Sequence, residues 1–336
     1  MMKKLLPIIA IVLFTVNSIA QTARVQVIHN SADAAAAEVD VYVNAGLALD
    51  NFAFRTATPF IDLPAGVEIQ LSVAPGNSTS VSDALLTVPV TLTENEKYIV
   101  VADGIVSPTG YSPAPALTLQ VFAMAREMAS NPSNVDVLVH HGSTDAPTVD
   151  VVETGVGAGT IVDNISYTEF QGYLELPTDD YVIEIRDESG TVGVAAYQAP
   201  LETLSLDGAA LTVLASGFLD PSQNSNGPSF GLFVASPLGG ALLELPSAPL
   251  GVMEFDSSKF VIYPNPANKR LNINFSGMEV SGYLVTISDM LGRQVLSNLE
   301  INIDNSIDVS NLDKGIYNVS ILSKNGVLSN KKFIKN

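Results

Sequence analysis

Apolar and polar residues alternate along this chain in short runs that are too brief for helices and have the period of strands. Val25 and Val27 share one face of an extended segment. Val39, Val41 and Val43 do the same, with Asp40 and Tyr42 on the opposite face. Successive side chains of a strand point to opposite sides, so a period of two marks a half-buried strand. "VEIQLSV" (67–73) and "YVIEIRD" (181–187) alternate likewise, while "YIVVADG" (98–104) and "LTVLASG" (211–217) read as strands buried on both faces. Turn signals such as "NAG", "LPAG", "APGNS", "LPTDD" and "DESG" separate them. The pattern predicts about seven short strands in each of two units. Only "FAMAREMAS" (122–130) suggests a helical turn or short helix, leading into "SNPSN". The opening differs: Lys3 and Lys4 precede an apolar run from 5 to 16, and the small residues Ser18 and Ala20 precede Gln21. This is the pattern of a cleaved secretory signal over 1–20, too short to span a bilayer comfortably. No later stretch is long and apolar enough for a span.

The two units are copies. Val27, His29, Ser31, Asp33 and Ala34 recur as Val139, His141, Ser143, Asp145 and Ala146, and "VDV" at 39–41 recurs at 149–151. "DNFAF" (50–54) matches "DNISY" (163–167), "FIDLPAG" (60–66) matches "YLELPTD" (173–179), and "YIVVADGIVSP" (98–108) matches "LTVLASGFLDP" (211–221). A unit of about 110 residues is too long for a solenoid repeat and is the size of a sandwich domain. The expected organisation is therefore all-β: two tandem antiparallel β-sandwich domains over 21–128 and 134–245, a linker over 246–258, and a small C-terminal β-sandwich over 259–336.

Composition sharpens this picture. The chain has no cysteine, so an exported protein of this kind must bury real cores or bind metal ions. Residues 21–255 carry five basic and 28 acidic side chains, a net of −23, whereas 256–336 is slightly basic. The acidic part repels nucleic acid and anionic lipid, and suits solubility, a cation or a basic partner.

The chain has only three histidines, and two of them sit in the repeated His-x-Ser-x-Asp. A catalytic triad is disfavoured by geometry: alternate residues of a strand lie roughly 6–7 Å apart, against about 2.6–3.2 Å for proton relay. Neither serine stands in a G-x-S-x-G elbow. A divalent metal has candidate ligands in His29, Asp33 and Asp40 of the first unit, and in His141, Asp145 and Asp150 of the second. Calcium held by carboxylates and loop carbonyls is a second version, although no D-x-D-x-D-G spacing accompanies it. The third reading is structural. His29 has the parity of Val25 and Val27, so its imidazole faces the core, donating to a backbone carbonyl and accepting from a turn N–H. Asp33 and Asp145 would bond backbone N–H groups two positions on. His140 has the opposite parity, replaces Ile28 of the first unit, and reads as a surface residue. "GVGAG" (155–159) lacks the spacing and following helix of a phosphate loop and reads as a hairpin loop. No catalytic residue and no cofactor other than calcium is indicated.

V-x-V-x-H-x-S-x-D-A followed by V-D-V resembles the opening of the DUF4397 family, extracellular bacterial domains often found in tandem, whose typical form is H-A-S-P-D-A-P-x-V-D-V. The second unit keeps Asp-Ala-Pro in "HHGSTDAPTVDV", and the first replaces it in "DAAAAEVDV". The resemblance extends over most of 23–245 and implies no activity. Residues 259–336 resemble the type A sorting domain of the type IX secretion system. The matching positions are Tyr263, Pro264, Asn265 and Pro266, then Gly292 and Arg293 of D-x-x-G-R-x-V, then Gly315 and Tyr317 of L-x-x-G-x-Y-x-V-x-I, and a basic tail. That resemblance implies a route: Sec to the periplasm, then the type IX translocon. A sortase-like signal peptidase would remove the domain, and the cargo would be joined to surface lipopolysaccharide or released. The expected protein is a secreted or surface-bound, non-enzymatic binding or adhesion protein with an unknown extracellular ligand. The alternative is a hydrolase or an accessory module for extracellular polymer degradation. Such a glycosidase would need two carboxylates roughly 5–9.5 Å apart in a cleft. The absence of Trp weighs against sugar-stacking platforms.

Overall fold

The structure is a computed structural model, described over residues 21–250, 260–275, 284–290, 292–300, 306–323 and 326–336. The expected signal at 1–20 lies outside the described residues. The chain divides into two compact units, Met1–Leu250 and Gly251–Asn336. Among the described residues no helix is long and apolar enough to cross a membrane.

The first repeat contains β1 (Thr22–His29), β2 (Glu38–Val43), β3 (Gly46–Ala53), β4 (Thr56–Ala57), β5 (Ile61–Pro64), β6 (Glu68–Pro75), β7 (Leu86–Thr91), β8 (Lys97–Asp103) and β9 (Thr118–Ala123). β3-β2-β6-β7 form one sheet. β4-β1-β8-β9, with β5 also paired to β1, form the other. Val25, Leu63 and Val100 of one sheet meet Ile69 and Leu71 of the other in a shared core, as the alternation requires. The second repeat has β10 (Asn134–His141), β11 (Val149–Glu153), β12 (Gly159–Ile165), β13 (Phe170–Pro177), β14 (Asp180–Asp187), β15 (Gly193–Pro200), β16 (Ala210–Ser216), β17 (Gly231–Ala235), β18 (Gly240–Ala241), β19 (Leu243–Glu244) and β20 (Ser247–Ala248). Its sheets are β13-β10-β16-β17-β19 and β12-β11-β14-β15-β20.

The protein is all-β, as the alternation predicts, with one pair of strands in each copy parallel and not antiparallel. β1 pairs β8, and β10 pairs β16, in parallel. Between β1 and β8 the chain visits the opposite sheet twice, laying β4 and β5 antiparallel to β1 in between, and so enters β8 from the same end as β1; a parallel pair needs such a crossover. The helical turn expected at 122–130 does not form. Met124 has a left-handed φ of 59°, and the next N–H groups leave the local chain: Ala125 N donates to Lys97 O, Arg126 N to the Tyr173 hydroxyl and Ala129 N to Gly208 O.

The repeats are not beads on a string. Ile28, Ala57, Ile99 and Val101 of the first share one buried cluster with Leu138, Leu214, Phe233 and Ala235 of the second. The segment after β17 stitches the copies together. β18 pairs β4 of the first repeat, β19 returns to β17, and β20, at residues expected in a linker, pairs β15. Gly239 (φ 72°) lies so close to the backbone of Ala57–Pro59 that any β-carbon would collide with it.

The C-terminal unit contains β21 (Phe260–Tyr263), β22 (Arg270–Phe275), β23 (Leu284–Asp289), β24 (Gln294–Glu300), β25 (Ser306–Asp308), β26 (Gly315–Ser323) and β27 (Gly326–Lys335). They form sheets β21-β22-β25 and β24-β23-β26-β27. The sheets share a core that includes Phe260, Leu271, Ile273, Val285, Ile287, Val319 and Phe333.

Candidate functional site

In both copies the His-x-Ser-x-Asp motif is a clasp that ties the end of β1 or β10 to the loop after β8 or β16. His29 Nε2 lies 2.7 Å from Ala36 O, and His141 Nε2 lies 3.0 Å from Pro147 O. Ser31 Oγ donates to Gly104 O at 2.6 Å, and Ser143 Oγ to Gly217 O at 2.7 Å. Asp33 caps the short turn Ala34–Ala36 through Ala35 N, and also accepts from Val106 N, Ser107 N and Ser107 Oγ at 2.6–2.8 Å. Asp145 accepts from Leu219 N and Asp220 N, both at 2.8 Å, and from Asn224 Nδ2 at 3.0 Å. It makes no bond two positions on, because that residue is Pro147, which has no N–H. The receiving glycines are required: Gly104 and Gly217 have φ of 104° and 87°, and a β-carbon on either would press into the Ala116 or Ser229 carbonyl.

Both imidazoles face the core, as their parity predicts, and each has a carbonyl partner. The expected bond from a turn N–H is missing: Nδ1 of His29 and of His141 is buried without a partner. His29 instead sits beside the rings of Phe52 and Phe54. Burial lowers the pKa of both histidines below the ordinary value, outweighing the carbonyl bonds that raise it. Burial pushes the Asp33 carboxyl up, but its hydrogen bonds to Ser107, Ala35 and Val106 prevail and hold it below the usual value.

The structure does not assemble the metal candidates. Asp40 accepts from Asn51 N of its own hairpin and from Ser78 Oγ of the segment after β6, and Asp150 accepts from Asn164 N of its own hairpin. Among the described residues, no three His, Asp or Glu side chains form a metal-binding group.

His140 is the main correction. It is 0% exposed. Its parity does point away from its own sandwich, but that face is covered by the first repeat. Its Nε2 lies 2.7 Å from Asp103 Oδ2, and its Nδ1 3.1 Å from Glu169 O. Asn30 Nδ2 donates to the other Asp103 oxygen at 2.8 Å. On the other side of the junction, Arg55 lies 3.7 Å over the Phe233 ring and donates to Ser216 Oγ, Ser216 O and Ser229 O. Burial brings its pKa down to about 10, with Glu244 acting against the shift. The repeat correspondence places Ile28 against His140, Asp103 against Ser216, and Arg55 against Thr168. The polar partners across the junction are therefore unlike in the two copies.

The glycine-rich loop holds an anion after all, and it is the protein's own. The Glu153 carboxylate, 2% exposed, accepts from Gly155, Val156, Gly157 and Ala158 backbone N–H at 2.6–3.1 Å. Successive N–H groups turned inward make such a nest. A glutamate just before a Gly-rich turn was the available signal.

The C-terminal motifs are structural in their own unit. Asn265 donates through Nδ2 to Lys332 O and accepts from Ile334 N, pinning the Tyr263–Pro266 stretch to β27. Arg293 N and Nε both bond Asp289 across a turn closed by Gly292, φ 81°. The Tyr317 hydroxyl donates to Asp313 O, and its ring stacks on Phe333.

Comparison with known families agrees with this organisation. Residues 23–152 and 133–226 match the family described as Domain of unknown function (DUF4397). Residues 261–336 match the Secretion system C-terminal sorting domain. No curated protein matches the chain. The chain, two copies of one clasped sandwich followed by a sorting domain, belongs to the DUF4397 family and is a type IX cargo exported to the cell surface or beyond.

Proposed function

We propose that the paired repeats form a non-enzymatic binding module, displayed on or shed from the cell surface, for adhesion to an extracellular ligand. The observation that supports this reading is the occupation of the motif's reactive groups: each His, Ser and Asp is bonded to backbone at the clasp. Neither serine is hydrogen-bonded to its histidine: each hydroxyl donates to a glycine carbonyl, and Ser143 Oγ has a longer second contact, 3.3 Å, with Asp145 Oδ1. After export, a sortase-like peptidase removes the sorting domain, and the acidic module is joined to surface lipopolysaccharide or released. The test is to array the mature protein on glycans and matrix proteins, alongside ester, peptide and glycoside substrates. Saturable capture without turnover is the expected result. Turnover abolished by His29→Ala or His141→Ala would overturn it in favour of a hydrolase.

A further inference from the structure

Each repeat encloses a void between its two sheets, in the same place. In the first it measures about 30 Å³; in the second it is a lobe of about 70 Å³ adjoining another of about 30 Å³. Corresponding residues line both: Val27 and Val139, Leu63 and Leu176, Val100 and Val213. Sandwich interiors are normally close-packed, with few voids larger than a water. A space kept in both copies and enlarged in one is a feature of the site.

The large lobe of the second repeat has no polar surface open to it, whereas the two small spaces are bordered by His29 in the first repeat and by His140 and His141 in the second. Water needs two to four polar partners, so the large lobe stays dry and takes apolar guests. Its dimensions exclude bulky ones, since a cavity of about 150 Å³ is what accommodates benzene. In the second repeat β12 and β13, edge strands of opposite sheets, lie against each other without pairing. There Ile161, Leu174 and Leu176 are only partly buried. We propose that this slot takes the end of a slender alkyl chain, a few carbons long, inserted between β12 and β13 from an amphiphile whose polar part stays in solvent. The inference deepens the binding reading above by naming the class of ligand.

Xenon and 1-hexanol are suitable probes for the mature full-length protein, followed by ¹²⁹Xe shifts and by calorimetry. Saturable uptake at one site is expected. Filling the cavity with Val213→Phe should weaken it at least tenfold. Leu174→Trp narrows the mouth at a partly exposed position, so it should weaken uptake without disturbing the fold. Absence of saturable uptake, or uptake equal in both variants and the parent, would overturn the inference. Hexanol uptake without capture of any polymer or matrix protein supports the slot and removes the adhesion reading; capture without uptake does the reverse.

Discussion

At the scale of single residues, the repeated motif works by satisfying backbone groups. Asp33 serves three N–H groups and a hydroxyl from one buried position. A hydrogen bond to a charged group is worth roughly 1.5–3 kcal/mol, and such bonds are not additive. Asp33→Ala should therefore lower stability by about 3 kcal/mol, measured by urea unfolding, while Asp33→Asn should retain part of it. A second expectation concerns pH. Burial lowers the folded-state pKa of His29 and His141, so the unfolded chain takes up protons first as pH falls. The stability the two residues contribute is complete above about pH 6.5 and is lost as pH drops towards their lowered folded values. Asp33, held below its ordinary value, keeps its contribution until lower pH. Urea midpoints should fall between pH 7 and 5, and the fall should be smaller in the His29→Gln, His141→Gln double variant. Equal slopes would mean the imidazoles are not held neutral.

At the scale of elements, loops are set by a few backbone positions. Gly217 and Gly157 both have positive φ, but a β-carbon on Gly217 meets the Ser229 carbonyl and the Arg55 guanidinium, whereas nothing lies within 4 Å of one on Gly157. Gly217→Ala should cost about 3 kcal/mol or more, and Gly157→Ala only about 1 kcal/mol of backbone strain. Thermal melts of the pair would check this, and equal losses would refute the steric account. Gly157 stands in a stretch read from the sequence as a hairpin loop, and Gly217 closes the run "LTVLASG" read as a buried strand. What separates their roles was not visible there, because the atoms that crowd Gly217 come from residues far along the chain.

At the scale of the molecule, the two repeats form one unit with a directional junction. Removing one partner of a buried hydrogen-bonded pair leaves the other unsatisfied and costs about 1–3 kcal/mol. His140→Ile alone should do this to Asp103. Adding Asp103→Ser, the residue found at the equivalent place in the second repeat, should restore much of the loss, which a double-mutant cycle would measure. Additive losses would show that the contact carries no coupling. The same junction predicts a single cooperative transition for both repeats, since they share a core. The C-terminal unit has its own core and a charge balance opposite in sign. Mass spectrometry of surface-exposed protein should find chains ending before about residue 260; an intact "KKFIKN" end would show that the domain is retained.

The sequence by itself determined the all-β class, the duplication, the inward parity of His29 and His141, and the export domain. All of these rest on local periodicity or on motifs contiguous in the chain. It also told which way His140 points, since parity is a local property. Only the tertiary structure decided what His140 points at, because Asp103 belongs to the other copy and the face between them is buried only once the repeats dock. The same holds for the parallel pairing of β1 with β8, the reach of Asp145 to Leu219 and Asp220, and the inter-sheet void. Each depends on which segments distant in sequence are brought together, and hydrophobic alternation carries no record of that.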